Sequence, residues 1–190
     1  MFIWKWIKNL LKSWGLINKS GNLLFVGLDG AGKTTLLHCL KFGKIVPQDP
    51  TQMPIQEEFT YEKLNIHAYD MGGHVAARPL WGEYITTANA IIFLVDSYDR
   101  DRFPEARAEL EKILTDERIK TIPILVLGNK IDLPGAASEA ELRSALGLSL
   151  STTGKGSAVA HGARPLEIFM CTITRGRGFR EGIQWLSQHF

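Results

Sequence analysis

The residues most able to do chemistry are Gly27-Leu28-Asp29-Gly30-Ala31-Gly32-Lys33-Thr34, spaced as G-x-x-x-x-G-K-[ST]. An apolar run, Leu23-Leu24-Phe25-Val26, precedes them and a helical pattern from Thr35 to Leu40 follows. This is the strand–loop–helix setting in which the spacing becomes a phosphate-binding loop. Glycines let the backbone curl closely round a di- or triphosphate with several N–H groups aimed at its oxygens, and the following helix adds a favourable dipole. Lys33 would reach the β- and γ-phosphates, the Thr34 hydroxyl would ligate Mg²⁺, and Asp29, Gly30, Ala31, Gly32 and Thr35 complete the cradle.

Two further motifs follow in order. Asp70-Met71-Gly72-Gly73 ends an apolar stretch 37 residues beyond Lys33. A carboxylate at a buried strand tip can support Mg²⁺, Asp70 here, while the Gly73 N–H can sense a γ-phosphate. Asn129-Lys130-Ile131-Asp132 ends the strand-like Ile124-Leu125-Val126-Leu127. Asp132 can accept hydrogen bonds from N1–H and the 2-amino group of guanine. Adenine lacks that donor pair and would strand a buried carboxylate. The Lys130 stem can lie across the base, Asn129 can brace adjoining loops, and the backbone of Thr172-Ile173-Thr174 can close the base pocket. Together the motifs specify GTP or GDP with Mg²⁺.

Positioning these groups requires a sheet. Strand-like runs fall at 22–27, 57–62, 64–70, 90–96, 122–128 and 165–171, with helical patterns at 33–42, 76–87, 103–115, 138–146 and 177–189. The second and third strands are close enough, across Lys63, to form a hairpin; later strands are separated by helices, which implies parallel crossovers. The expected fold is α/β, a mostly parallel six-stranded sheet with helices on both faces and ligand loops at the strands' carboxyl ends. The chain divides into an arm and hinge, 1–19, and a nucleotide-binding domain, 20–190, with Asn18-Lys19-Ser20-Gly21-Asn22 read as part of the hinge. With 190 residues, 45% hydrophobic and 22% charged, it has the composition of one globular domain. Two distant cysteines, Cys39 and Cys171, argue against a disulfide framework or zinc site.

The net charge of +2 conceals an asymmetry, because residues 1–19 hold four lysines and no acid. The body is therefore net acidic, and no nucleic-acid-binding surface is expected. On a helical wheel Lys5, Lys8, Asn9 and Lys12 share one sector, and Phe2, Ile3, Trp4, Trp6, Ile7, Leu10, Leu11 and Trp14 fill most of the rest. Large apolar side chains opposite a lysine stripe describe an amphipathic helix in a membrane interface. The alternative is a helix packed on its own domain. Lysines interrupt the apolar run too often for a signal peptide, it is too short for a transmembrane helix, and Phe2 offers no myristoyl acceptor.

The three motifs resemble the Arf/Sar branch of small GTPases. Asp70-Met71-Gly72-Gly73-His74, Thr152-Thr153-Gly154-Lys155-Gly156-Ser157 and Ala163-Arg164-Pro165-Leu166-Glu167-Ile168-Phe169-Met170-Cys171 resemble the Sar-type members that initiate coat protein complex II vesicles. The resemblance spans nearly the whole chain, the Trp-rich arm included. It implies a slow GTP hydrolase with His74 as the catalytic residue, aligned on water by a GTPase-activating protein within the coat. It also implies a guanine-nucleotide exchange factor, coat subunits and a membrane surface as partners. The location implied is the cytoplasmic face of the endoplasmic reticulum, in exchange with cytosol.

Two departures qualify it. Where the family pattern reads Pro-Thr-x-x-Pro-Thr, this chain has Pro50-Thr51-Gln52-Met53-Pro54-Ile55, so Ile55 occupies the position taken to supply a Mg²⁺-binding hydroxyl. Either backbone or water substitutes, or Thr51 takes the place by a shift of register, or the GTP-bound loop is weakened; the last is favoured. That reading sustains an alternative from another class, a nucleotide-stabilised adaptor or Arf-like regulatory GTPase that hydrolyses weakly. The second departure is that Arg78-Pro79-Leu80-Trp81 and Asp96-Ser97-Tyr98-Asp99-Arg100-Asp101-Arg102 resemble Arf segments and not Sar segments. A metabolic P-loop kinase is disfavoured by Asn129 and Asp132.

Overall fold

The computed structural model of the chain describes residues 19–45, 51, 53–156, 159–160 and 162–190. The arm residues Phe2, Ile3, Trp4, Trp6, Ile7, Leu10, Leu11 and Trp14 lie outside the described residues. Six strands form one sheet: β1 (Lys19–Gly27), β2 (Ile55–Tyr61), β3 (Leu64–Asp70), β4 (Ala90–Asp96), β5 (Ile124–Asn129) and β6 (Leu166–Met170). Their order is β2-β3-β1-β4-β5-β6. Only the β2–β3 pair is antiparallel. The helices are α1 (Lys33–Phe42), α2 (Trp81–Tyr84), α3 (Phe103–Leu114), α4 (Glu139–Ala145) and α5 (Phe179–Ser187).

The two-residue period of the strands builds the two cores. Leu24 and Val26, Ile91, Phe93 and Val95, and Ile124 and Val126 pack with Phe103, Leu110 and Ile113 of α3 and Leu142 of α4. Their neighbours Leu23 and Phe25, Ile92 and Leu94, and Leu125 and Leu127 pack with Leu36, Leu37 and Leu40 of α1 and Phe179, Ile183 and Leu186 of α5. Central strands buried on both faces need this continuous apolar sequence. Every parallel strand then delivers its carboxyl end, with the loop that follows it, to one edge of the sheet.

The sheet begins earlier than the hinge reading placed it, because Lys19–Asn22 already pair with Leu64–His67 of β3. Two tertiary contacts hold this stretch: Lys19 Nζ donates to Ser187 O at 2.8 Å, and the Phe190 ring occupies the space that a Cβ on Gly21 would need. The helix expected over 76–87 is instead a 3-10 segment (Val75–Leu80), the single turn α2 and a second 3-10 turn (Ile85–Thr87). Pro79 lies within it and has no N–H for a regular ladder.

Candidate nucleotide site

Gly32 ends the first loop with φ 102° and caps α1. A Cβ there would lie 2.6 Å from Asn129 Nδ2, so the loop and the β5 tip touch only because this residue is glycine. Lys33 is 5% exposed, and its Nζ donates to Gly27 O and Leu28 O, both at 2.9 Å, which sets the ammonium inside the curl of the loop. Burial pulls its pKa down to about 8, against an opposing pull from Asp70. An anion in the curl would raise it again.

At the tip of β3, Asp70 is fully buried. Its Oδ2 accepts from Thr34 Oγ1 at 2.7 Å and from Thr51 Oγ1 at 3.1 Å, and the two hydroxyl oxygens are 2.7 Å apart. Asp70 Oδ1 is buried with no hydrogen-bond partner among the described residues. Burial raises the Asp70 pKa, partly offset by the Thr34 hydroxyl and Lys33. Three hard oxygens converge here and a fourth is unsatisfied, a donor set that fits Mg²⁺, which takes one or two carboxylates and completes its shell with phosphate and water. Such a site needs no larger cluster, and among the described residues no group of three His, Cys, Asp or Glu side chains is placed to hold a metal.

This geometry bears on the reading of Ile55. The hydroxyl beside Thr34 and Asp70 belongs to Thr51, the placement expected of the alternative in which Thr51 takes the position. Ile55 opens β2 opposite Asp70, a paired strand position whose side chain is exposed.

Gly73 sits directly on the first loop. A Cβ there would lie 2.3 Å from Asp29 N and 2.4 Å from Leu28 C. His74 follows, half-buried, as the N-cap of the Val75–Leu80 segment; its side chain makes no capping hydrogen bond, and its backbone O accepts from Ala77 N at 2.9 Å. Asp29 turns its carboxylate away from the curl, toward Arg102 Nη2 at 2.9 Å. That hydrogen bond holds its pKa below the usual range. Gly30 is exposed at the loop tip, Ala31 is buried, and Thr35 is half-buried in the first turn of α1.

The base end is assembled from β5 and the loop after β6. Asn129 Nδ2 donates to Ala31 O at 2.9 Å, and its Oδ1 accepts from Ile173 N at 3.1 Å, so one amide ties the phosphate loop to the last loop. Lys130 has φ 67°, uncommon for a side chain other than glycine, and its Nζ meets Asp96 Oδ2 at 2.6 Å. Asp132 is held below its usual pKa by a hydrogen bond from Thr172. Arg175 Nε stands 3.4 Å from the Asp132 carboxylate. Thr172 is buried and Thr174 exposed, their hydroxyls 3.2 Å apart.

Four residues near the site were not singled out by motif: Arg78, Trp81, Arg102 and Glu105. Arg78 Nε donates to Gly73 O at 2.8 Å and Trp81 Nε1 to Gly72 O at 2.9 Å. The available signal was their membership of the two Arf-like segments, which carry Arg78, Trp81 and Arg102.

A phosphate loop, a strand-tip carboxylate with two hydroxyls and a guanine-type N-K-x-D loop at one sheet edge define a guanine-nucleotide-binding P-loop protein. The model of the ADP-ribosylation factor family matches residues 7–190, and the chain belongs to that family. It is a Sar-type member of the Arf/Sar small GTPases, which are GTP hydrolases. It is 40% identical over 185 residues to the small COPII coat GTPase SAR1 of Giardia intestinalis, covering 97% of both chains. It is 39% identical over 200 residues to the protein of that name from Nicotiana tabacum, covering 100% of this chain and 99% of the relative. Among solved structures it resembles the Arl6 BBS3 small GTPase of Trypanosoma brucei with bound GppNp. That match has a TM-score of 0.77 and 30% identity, covering 90% of this chain and 96% of the other.

Proposed function

We propose that this small GTPase cycles between GDP and GTP with Mg²⁺ and is recruited by its N-terminal helix to the endoplasmic reticulum membrane, where it initiates coat assembly for ER-to-Golgi transport. The observation that carries the switch is the convergence of Thr34, Thr51 and Asp70 beside Lys33 and Gly73. The names of the SAR1 relatives support the coat role. The basic, Trp-rich arm supports the membrane role.

Lys33 would bind the β- and γ-phosphates, and Thr34, Thr51 and Asp70 would hold Mg²⁺. The metal, when bound, neutralises charge on the phosphate oxygens. Thr51 reports on the γ-phosphate because its loop is ordered by contacts that GDP cannot supply. Asp132 would read the guanine edge, and Lys130 would cover the base. His74 would orient the attacking water once a GTPase-activating partner aligns it. An exchange factor and coat subunits are the partners this cycle requires. The adaptor reading rested on a missing hydroxyl, which Thr51 would supply on this reading.

The test is liposome flotation of the full chain with GDP or a non-hydrolysable GTP analogue, beside hydrolysis with and without a coat GTPase-activating protein. Analogue-dependent flotation, lost on deleting residues 1–14, with stimulated hydrolysis is expected. Flotation indifferent to nucleotide, or hydrolysis that no such partner stimulates, would overturn the proposal.

A further inference from the structure

The segment Val75–Tyr84 is built to hold two successive peptide units of the loop before it. In a trans peptide the C=O and the following N–H point in opposite directions within one plane, and the described residues contain no cis bond. Fixing the Gly72 carbonyl therefore fixes the direction of the Gly73 N–H. Trp81 does so: its indole Nε1 donates to Gly72 O at 2.9 Å. The ring is buried and stands edge-on to Phe93 with centroids 6.5 Å apart, so the donor is rigid.

The next unit, Gly73 C=O with His74 N–H, is fixed by Arg78, whose Nε donates to Gly73 O at 2.8 Å. The guanidinium is itself clamped, Nη2 on Glu105 Oε1 at 2.7 Å and Nη1 on Glu109 Oε1 at 3.3 Å. Glu105 Oε2 accepts from Arg102 Nε at 2.9 Å, and Arg102 Nη2 donates to Asp29 Oδ1, also at 2.9 Å. A continuous chain thus runs from Gly73 through Arg78, Glu105 and Arg102 back to the phosphate loop.

We propose that Trp81 and Arg78 are positioning residues that set the peptide planes on either side of Gly73, aiming its N–H at the γ-phosphate and fixing the backbone from which His74 approaches water. The inference rests on the switch reading above. The rigid indole and the clamped guanidinium keep the N–H directed before nucleotide arrives, so the γ-phosphate need not supply the ordering itself. The Asp29 end references this geometry to the loop that holds the same phosphate.

The experiment compares the full-length wild type with Trp81→Phe, Arg78→Lys and Glu105→Gln. It measures affinity for a fluorescent GTP analogue and for GDP at saturating Mg²⁺, the single-turnover hydrolysis rate, and the thermal midpoint. Trp81→Phe keeps a buried aromatic ring while losing the donor and some ring volume, a packing cost that the thermal midpoint reads separately; analogue affinity is expected to fall roughly tenfold, as for a lost buried hydrogen bond, with GDP affinity within about twofold. Arg78→Lys keeps the charge without the planar fork and is expected to shift the ratio in the same direction and to slow hydrolysis. Glu105→Gln, on a half-exposed residue, is the variant safest for folding, with a shift of about threefold from its weaker clamp. A lowered thermal midpoint with an unchanged analogue-to-GDP ratio and rate would reduce both residues to structural roles and overturn the inference. A wild type that does not prefer the analogue in Mg²⁺ would instead remove the switch reading, and the inference with it.

Discussion

Two regions of this molecule are organised round charged side chains taken out of water, and they do so with opposite signs. On the nucleotide-sensing side the buried group is a cation: Arg78, 9% exposed, with Glu105 and Glu109 round it and a loop carbonyl in its grip. On the far side it is an anion: Glu167 of β6, 2% exposed, which accepts from Arg143 Nη2 at 2.7 Å and from the backbone N–H groups of Gly154 and Ile168, both at 2.8 Å. Glu167 sits in a strand paired to the sheet and staples the loop 149–156 to it. Lys155 and Trp185 Nε1 add further holds on that loop. Arg78 sits in a short 3-10 segment and grips a loop expected to respond to nucleotide. The same chemistry therefore fastens a loop to a laddered strand on one side, and on the other fixes peptide planes that no ladder holds.

The sharpest way to break this contrast is to remove the anion. Glu167→Ala takes the side-chain acceptor from the Gly154 and Ile168 N–H groups and one of two carboxylates from Arg143, which keeps Glu139, and is expected to cost about 3 kcal/mol. For a chain of this size that lowers the thermal midpoint by roughly 6–12 °C. The ratio of GTP-analogue to GDP affinity should not change. If the ratio moved as much as in the Trp81 and Arg78 variants, the two regions would not be functionally separate.

Thr51 gives the next effect in size. Thr51→Ala removes one of the hydroxyls at the Asp70 site and is expected to weaken GTP-analogue binding by about 1–1.5 kcal/mol in Mg²⁺, with GDP nearly unaffected. Ile55→Thr, which the sequence alone recommends as a restoration, should change either affinity by less than about 0.5 kcal/mol, as an exposed substitution does. Titrations with both nucleotides, in Mg²⁺ and in EDTA, decide between them. A large gain from Ile55→Thr with no loss from Thr51→Ala would reinstate Ile55 as a defect.

That pair of variants also marks where legibility in the sequence ended. The strands, the sheet and the three motifs could be read because each is a local pattern: alternation in β1, β4 and β5, a glycine-lysine loop before a helix, a strand ending in Asn-Lys-x-Asp. Thr51 could not, because two Pro-Thr-like positions compete, and only the fold shows which hydroxyl lies beside Thr34 and Asp70. Arg78 and Glu105 are 27 residues apart, and Arg102 and Asp29 are 73 apart, so nothing in their spacing signals contact. The start of β1 was hidden for a similar reason. Polar residues 19–22 have no strand-like pattern, and what makes them strand is the β3 edge beside them and the C-terminal Phe190.

The smallest expected effect tests the border between the regions. Arg100, two residues from Arg102, turns the other way and grips Glu141 of α4, with Nη1 at 3.0 Å and Nη2 at 3.2 Å, while its Nε donates to Gly135 O. Glu141 also completes a capping box with Ser138. Arg100 first, and then Ser138, bring its pKa down to about 2 from 4.5. The folded form therefore binds fewer protons than the unfolded chain between those values. The resulting stabilisation is complete above pH 4.5 and is lost as pH falls toward 2. Glu141→Gln keeps an amide able to cap the helix and removes the charge. Denaturant midpoints of the two proteins should differ slightly near pH 6 and converge as pH falls through that window, because an exposed ion pair contributes little even with good geometry. A difference that persisted undiminished at pH 2 would assign the effect to the cap and leave Arg100 without an energetic part in joining the two regions.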